Sequence, residues 1–206
     1  SPHAYAAIQS ENSSAGSNAG FIAFGNKAII IDTFLNMDAA IDLKRACDTL
    51  LNPVNYLVVN THYHSDHIIG NQIFPPESLF IGTSATRKGI LEESQKSLEN
   101  IQKVTPAEIS QLERQAATES NIDKKRDLDN DLLFIKNIQA HLVTLIPPQI
   151  LITTPTILQE EDLQIILHPV PPAHTYGDMF VDIPSEKVVF LGDLLFTKRH
   201  QWIGSG

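Results

Sequence analysis

The stretch Thr61-His62-Tyr63-His64-Ser65-Asp66-His67 places three imidazoles and a carboxylate within six consecutive positions. Buried in a core, these groups would need a partner for every donor and acceptor. On a solvated loop, nothing in surface physics favours clustered histidine. A bound metal accounts for them together, because neutral imidazole nitrogen and carboxylate oxygen are the usual ligands of Zn²⁺. On a loop leaving a strand, His62 and His64 at i and i+2 can point toward one ion. Asp66 and His67, at the start of a following helical turn, then face a second position.

Such a loop has to be held by regular elements. The run Tyr56-Leu57-Val58-Val59-Asn60 just before it is continuously apolar, as a strand buried on both faces would be. Upstream, His3 to Ile8, Gly20 to Phe24 and Lys27 to Ile31 read as strands, with Asp32 closing the third. Met37 to Leu51 reads as a helix with Asn36 as N-cap and Pro53 beyond its end. Leu79 to Ile81 reads as another short strand, and strand, helix and strand in this order point to a layered α/β fold. From about 84 to 146 the chain is polar and nearly free of glycine, which predicts two or three amphipathic helices inserted between strands. Leu128, Leu132, Ile135, Ile138 or Gln139 and Leu142 share one helical face, and Ile109, Leu112 and Ala116 begin another. That face packs on the sheet, on a sister subunit in a homo-oligomer, or as a lid over the site. After Pro147-Pro148, strands are expected at Leu163 to Leu167, Met179 to Ile183 and Val188 to Leu191, with hairpin connections at residues 160–162 and 184–187.

The histidine run resembles the His-x-His-x-Asp-His signature of the metallo-β-lactamase superfamily, and three further segments follow that family in order. Ile29-Ile30-Ile31-Asp32-Thr33 is similar to its early strand ending in Asp, Ala173-His174-Thr175-Tyr176-Gly177-Asp178 to its third motif, and Phe190-Leu191-Gly192-Asp193 to its fourth. The resemblance implies a four-layer αββα sandwich with a helical insertion at about 84–146, all within one domain spanning 1–206. It implies that His62, His64 and His174 hold a first metal, that Asp66 and His67 help hold a second, and that Asp193 bridges the two. Asp32 would support the metal loop from behind, and Asp66 would also orient the nucleophile or pass a proton. Tyr176 and His200 are candidates for lining the substrate pocket, whereas His168, inside an apolar strand, reads as structural. The family's fifth motif is a histidine several dozen residues beyond the bridging aspartate. Only 13 residues follow Asp193 here, so the expectation is a fragment whose closing strand and helices lie outside the chain.

What the resemblance implies chemically is a hydrolase with one or two zinc ions, iron and manganese remaining alternatives, acting on a small ester, thioester, lactone or lactam. Asp193 stands where the true β-lactamases carry Cys or Ser, and His64 favours zinc over the diiron branch. The rival reading is a non-catalytic or mononuclear metal-binding module. Composition narrows the partners. The 206 residues carry 15 Lys and Arg against 24 Asp and Glu, a formal charge of −9, which disfavours nucleic acid as a partner. With 42% hydrophobic and 19% charged residues the chain is globular, and no apolar run approaches the ~20 residues that span a bilayer. The single cysteine, Cys47, excludes an internal disulfide framework and a cluster of cysteine metal ligands; lying in the helical pattern it reads as a buried, inert thiol, which makes a thiol mechanism unattractive. The chain opens Ser1-Pro2-His3, which leaves cytoplasmic and exported locations both open.

Overall fold

Every residue of Ala28-Ile29-Ile30-Ile31 is apolar, and the strand's period of two divides the four between two cores. Ala28 and Ile30 pack with Leu43 and Cys47 of the helix on one side. Ile29 and Ile31 pack with Ile165, Leu167, Met179 and Val181 of a second sheet on the other. A strand buried on both faces needs apolar residues at every position, hence the unbroken run.

The computed structural model describes residues 2–10 and 15–197. In chain order, β1 (Ala4–Ala7), β2 (Ala19–Phe24), β3 (Lys27–Ile31), α1 (Met37–Leu51), β4 (Asn55–Val59), the short α2 (Ser65–Ile68) and β5 (Leu79–Gly82) form the first half. There follow α3 (Ser84–Gly89), α4 (Gln95–Gln102), α5 (Pro106–Thr118), α6 (Ile122–Ala140) and the two-residue β6 (Ile150–Leu151). The second sheet is built from β7 (Thr156–Glu160), β8 (Leu163–Pro169), β9 (Met179–Ile183) and β10 (Val188–Phe190). Sheet one runs β1-β2-β3-β4-β5-β6, antiparallel through β3 and parallel from β3 to β6. Sheet two runs β10-β9-β8-β7 and is antiparallel throughout. Helix α1, sheet one and sheet two stack as helix, sheet and sheet of the expected αββα order.

Local chemistry sets the bounds of α1. The Asn36 side chain accepts from the amides of Asp38 (2.7 Å) and Ala39 (3.3 Å), and Asn52 ends the helix in the left-handed region. Its buried residues Ala40, Leu43 and Cys47 lie on one face. Between β5 and β6 the helices turn their apolar face to the segment after the histidine run. Leu98, Ile138 and Val143 pack on Ile69, while Ile90 packs on Tyr63 and Ile68. Leu132, Ile135 and Ile138 are buried on α6 as the periodicity predicts, but Leu142 is 90% exposed, because α6 ends at Ala140 and the stripe stops with it. The strand expected at Val188 to Leu191 ends one residue earlier, at Phe190.

Candidate metal centre

Parallel pairing of β3 with β4, Ile31 opposite Val59, brings the carboxyl ends of both strands side by side. Asp32 therefore emerges next to Thr61, the last residue before the histidines. It does so at φ 58°, a left-handed conformation that Asp tolerates better than most residues. Its carboxylate, 1% exposed, accepts from the Thr61 amide (2.8 Å), the Thr61 hydroxyl (2.7 Å) and His67 Nδ1 (2.8 Å). The Thr61 hydroxyl in turn lies 3.1 Å from His62 Nδ1. With both Nδ1 atoms engaged in this way, the Nε2 atoms of His62 and His67 are aimed inward.

Sheet two delivers the remaining groups. His174 sits on the β8–β9 connection, where Asp178 accepts from the Thr175 amide (2.8 Å) and hydroxyl (2.7 Å). The Met179 amide donates to Thr61 O (2.8 Å), joining this loop to the histidine loop. Asp193 follows Gly192, which has φ 53° and approaches so closely that a Cβ there would lie 2.5 Å from Thr61 Oγ1.

The side chains converge in two groups, His62 with His64 and His174, and His62 with His67 and Asp193. His64 Nδ1 lies 3.1 Å from His62 Nε2 and 2.9 Å from His174 Nε2. Nitrogens on a tetrahedral zinc are separated by about 3.3 Å, given Zn–N bonds of about 2.05 Å, so the spacing suits a shared cation. Asp193 turns one oxygen to each group, Oδ1 3.2 Å from His67 Nε2 and Oδ2 3.5 Å from His174 Nε2. Asp66 Oδ2 stands 3.5 Å from His67 Nε2. His67 Nε2 is fully buried, yet no contact to it has hydrogen-bond geometry. A cation would satisfy that atom where the surrounding protein groups do not.

Electrostatics separates the two groups. Burial, reinforced by the neighbouring imidazoles, pushes His62 well below the usual histidine value, and burial also lowers His64. Both are thus neutral, with lone pairs ready to ligate. Burial pulls His67 down too, but the carboxylates of Asp66, Asp32 and Asp193 outweigh it and raise this imidazole well above its ordinary value. Burial works against ionisation of Asp193, yet its contact with His67 and the charge of the surrounding imidazoles hold it below the usual carboxylate range.

His62, His64, Asp66, His67, His174, Asp193 and Asp32 are all brought together at one end of the two sheets. Tyr176, 59% exposed, is two residues past His174 on the same loop. His200 lies outside the described residues. His168 stacks on Phe180 (centroids 4.5 Å apart, planes at 12°), on the sheet rather than among the site residues. Sequence reasoning passed over a buried polar network behind His67. Its carbonyl accepts from the Thr33 amide (3.0 Å) and Asn60 Nδ2 (3.2 Å), while Asn71 Nδ2 donates to Asn60 Oδ1 and to Ile146 O (both 2.9 Å). Polar Asn60 at the end of an apolar strand was the one available signal.

The family model of the metallo-beta-lactamase superfamily matches residues 15–79, the segment that holds Asp32 and the histidine run. No curated protein matches the chain. Among solved structures, a metallo-beta-lactamase from Pontibacter korlensis aligns with TM-score 0.61 at 15% identity, covering 100% of this chain and 74% of its own. The inverting sec-alkylsulfatase Pisa1 from Pseudomonas sp. aligns with TM-score 0.62 at 15% identity, over 92% of this chain and 29% of its own. Metallo-beta-lactamase IND-7 gives TM-score 0.54 at 14% identity, over 98% and 70%. At these identities the likeness is one of fold. No helix of the described residues is long and apolar enough to cross a membrane. The chain has the metallo-β-lactamase fold with a candidate His/Asp metal site, and the superfamily that its motifs resemble is the one whose model matches it.

Proposed function

We propose that the chain is a zinc-dependent hydrolase that turns water on a small ester, thioester, lactone or lactam. The observation carrying this reading is the meeting of His62 Nε2, His64 Nδ1 and His174 Nε2, from two separate sheets, at 3.1 and 2.9 Å. His62, His64 and His174 would hold a first ion, with Asp66, His67 and Asp193 at a second position. Bound zinc supplies Lewis acidity that makes water reactive near neutral pH and polarises the scissile carbonyl. The chain's own residues do the rest. Asp32 fixes the His67 tautomer through Nδ1, and Asp66, its side chain 29% exposed, is open enough to exchange a proton with the substrate side. The Ser17 hydroxyl donates to Asp66 O (2.5 Å), and a Cβ on Gly16 would come within 2.9 Å of Asp66 Cβ, so this segment steadies the carboxylate.

A mononuclear reading has one observation in its favour. The carboxylates around His67 favour its protonated form, so a cation at the second position competes with a proton there, whereas burial favours the neutral, ligating form of His62 and His64. Zinc titration combined with a chromogenic panel of carboxylic ester, thioester, lactone and β-lactam, plus the sec-alkyl sulfate suggested by one structural neighbour, tests both readings. Zinc-dependent turnover, abolished by chelation and by His62→Ala, supports the enzyme. Two equivalents support the dinuclear form and one the mononuclear form. Zinc binding without turnover of any substrate leaves the binding module.

A further inference from the structure

The helical segment that opens after β5 touches both loops that supply the three-imidazole group. At its start the Thr83 and Thr86 hydroxyls lie 3.0 and 2.7 Å from Gly177 O, three residues past His174. The fit there is tight, since a Cβ on Gly177 would come within 2.5 Å of the Thr86 amide nitrogen. Beyond α3, the residues Ile90–Ser94 form a π-helical turn, an insertion of one residue into the helical path. At the end of that turn the buried Ser94 hydroxyl donates to Tyr63 O (2.7 Å), the carbonyl between His62 and His64. Gly89 lets the Tyr63 ring lie against bare backbone, where a Cβ would sit 2.4 Å from the ring, and Tyr63 Oη donates to Glu93 (3.3 Å).

We propose that residues 83–94 are a brace that sets the spacing between the His62–His64 loop and the His174 loop, with Ser94 and Thr86 as its positioning residues. The inference rests on the metal reading above and deepens it. The two loops belong to different sheets, and three ligating nitrogens must meet within a few tenths of an ångström. The Met179–Thr61 backbone bond joins the loops on one side, and the brace joins them on the other. The one-residue insertion gives this stretch its purpose: it rotates Ser94 relative to Thr86, so one helix presents a hydroxyl to each loop. Outer-shell partners of this kind are worth about 10–100-fold in metal affinity.

The test measures zinc affinity by competition with a chromophoric chelator in the wild type, Ser94→Ala, Thr86→Val and Thr86→Ser. It is paired with the visible absorption of the cobalt-substituted proteins and urea unfolding of the metal-free ones. Ser94→Ala and Thr86→Val are expected to weaken the tightest zinc by about 10–100-fold and to alter the cobalt spectrum, while Thr86→Ser keeps the wild-type values. Lower unfolding midpoints with unchanged affinity and spectrum would mean a purely structural role and overturn the brace. So would a Thr86→Ser variant as weak as Thr86→Val. Should Ser94→Ala not fold, the Thr86 pair decides alone. A wild type that takes up no zinc overturns the metal reading and the brace with it, whereas tight wild-type binding matched by every variant overturns the brace only.

Discussion

Asp32→Asn isolates the role of a single buried carboxylate. Asparagine keeps the volume and accepts the left-handed backbone at φ 58°, so the change is confined to charge and to acceptor count. The wild-type carboxylate takes three hydrogen bonds at 2.7–2.8 Å, two from Thr61 and one from His67 Nδ1. The amide has one acceptor oxygen, and its NH₂ must then face groups that themselves donate. Losing at least one charge-assisted bond at a carboxylate shielded from solvent predicts a stability loss of roughly 2–4 kcal/mol. To accept from the new NH₂, His67 has to adopt the other tautomer, which puts a proton on Nε2 and removes the lone pair aimed at the second position. Affinity for the second zinc should fall about 10–100-fold. The first zinc should suffer less, because His62 meets Asp32 only through Thr61. Urea unfolding of the metal-free protein and two-equivalent chelator competition read both effects. An Asp32→Asn protein with the wild-type urea midpoint and an unchanged second affinity would refute the reasoning.

His62→Ala should lose the tightest zinc and reduce turnover to background while its far-ultraviolet circular dichroism stays native; retained activity would remove His62 from the site. Gly70→Ala should destabilise the chain by roughly 3 kcal/mol in urea unfolding, since overpacking of this kind forces backbone shifts. A Cβ there would stand 2.0 Å from Thr33 O and 2.5 Å from Ala40 Cβ. The Cys47 thiol, fully buried, is pushed up to about 12 by burial, so a thiol reagent at pH 8 should label it only after unfolding. The sign of the linkage follows from the same shift. The unfolded chain loses this proton near 9.0 and the folded chain near 12, so the Cys47 contribution lowers stability as pH rises through that window and is neutral below it.

Helix α1 was legible to the residue because its determinants are local: Asn36 caps it, Asn52 ends it, and the apolar spacing lies between. The histidine run was legible for the same reason, four ligand residues in six positions. Its partners His174 and Asp193 were legible only through the resemblance, since local composition alone does not distinguish them from loop residues. Motif order pointed to them, and only the antiparallel second sheet carries them to His64 and His67. Leu142 continued a stripe on paper, but no packing extends the helix past Ala140. Strand β6, two residues with exposed side chains, has no periodicity to read. The π turn at Ile90–Ser94 and the Asn60–Asn71 pair are products of tertiary fit, in which an insertion or a buried amide makes sense only once its partner is in place.

The proposed chemistry requires imidazoles from two sheets to share a cation. Anomalous scattering at the zinc edge from zinc-grown crystals tests this most directly. The predicted result is a peak within ligating distance, about 2.0–2.1 Å, of His62 Nε2, His64 Nδ1 and His174 Nε2 together. Zinc found only elsewhere, with these three side chains turned away from one another, would contradict it.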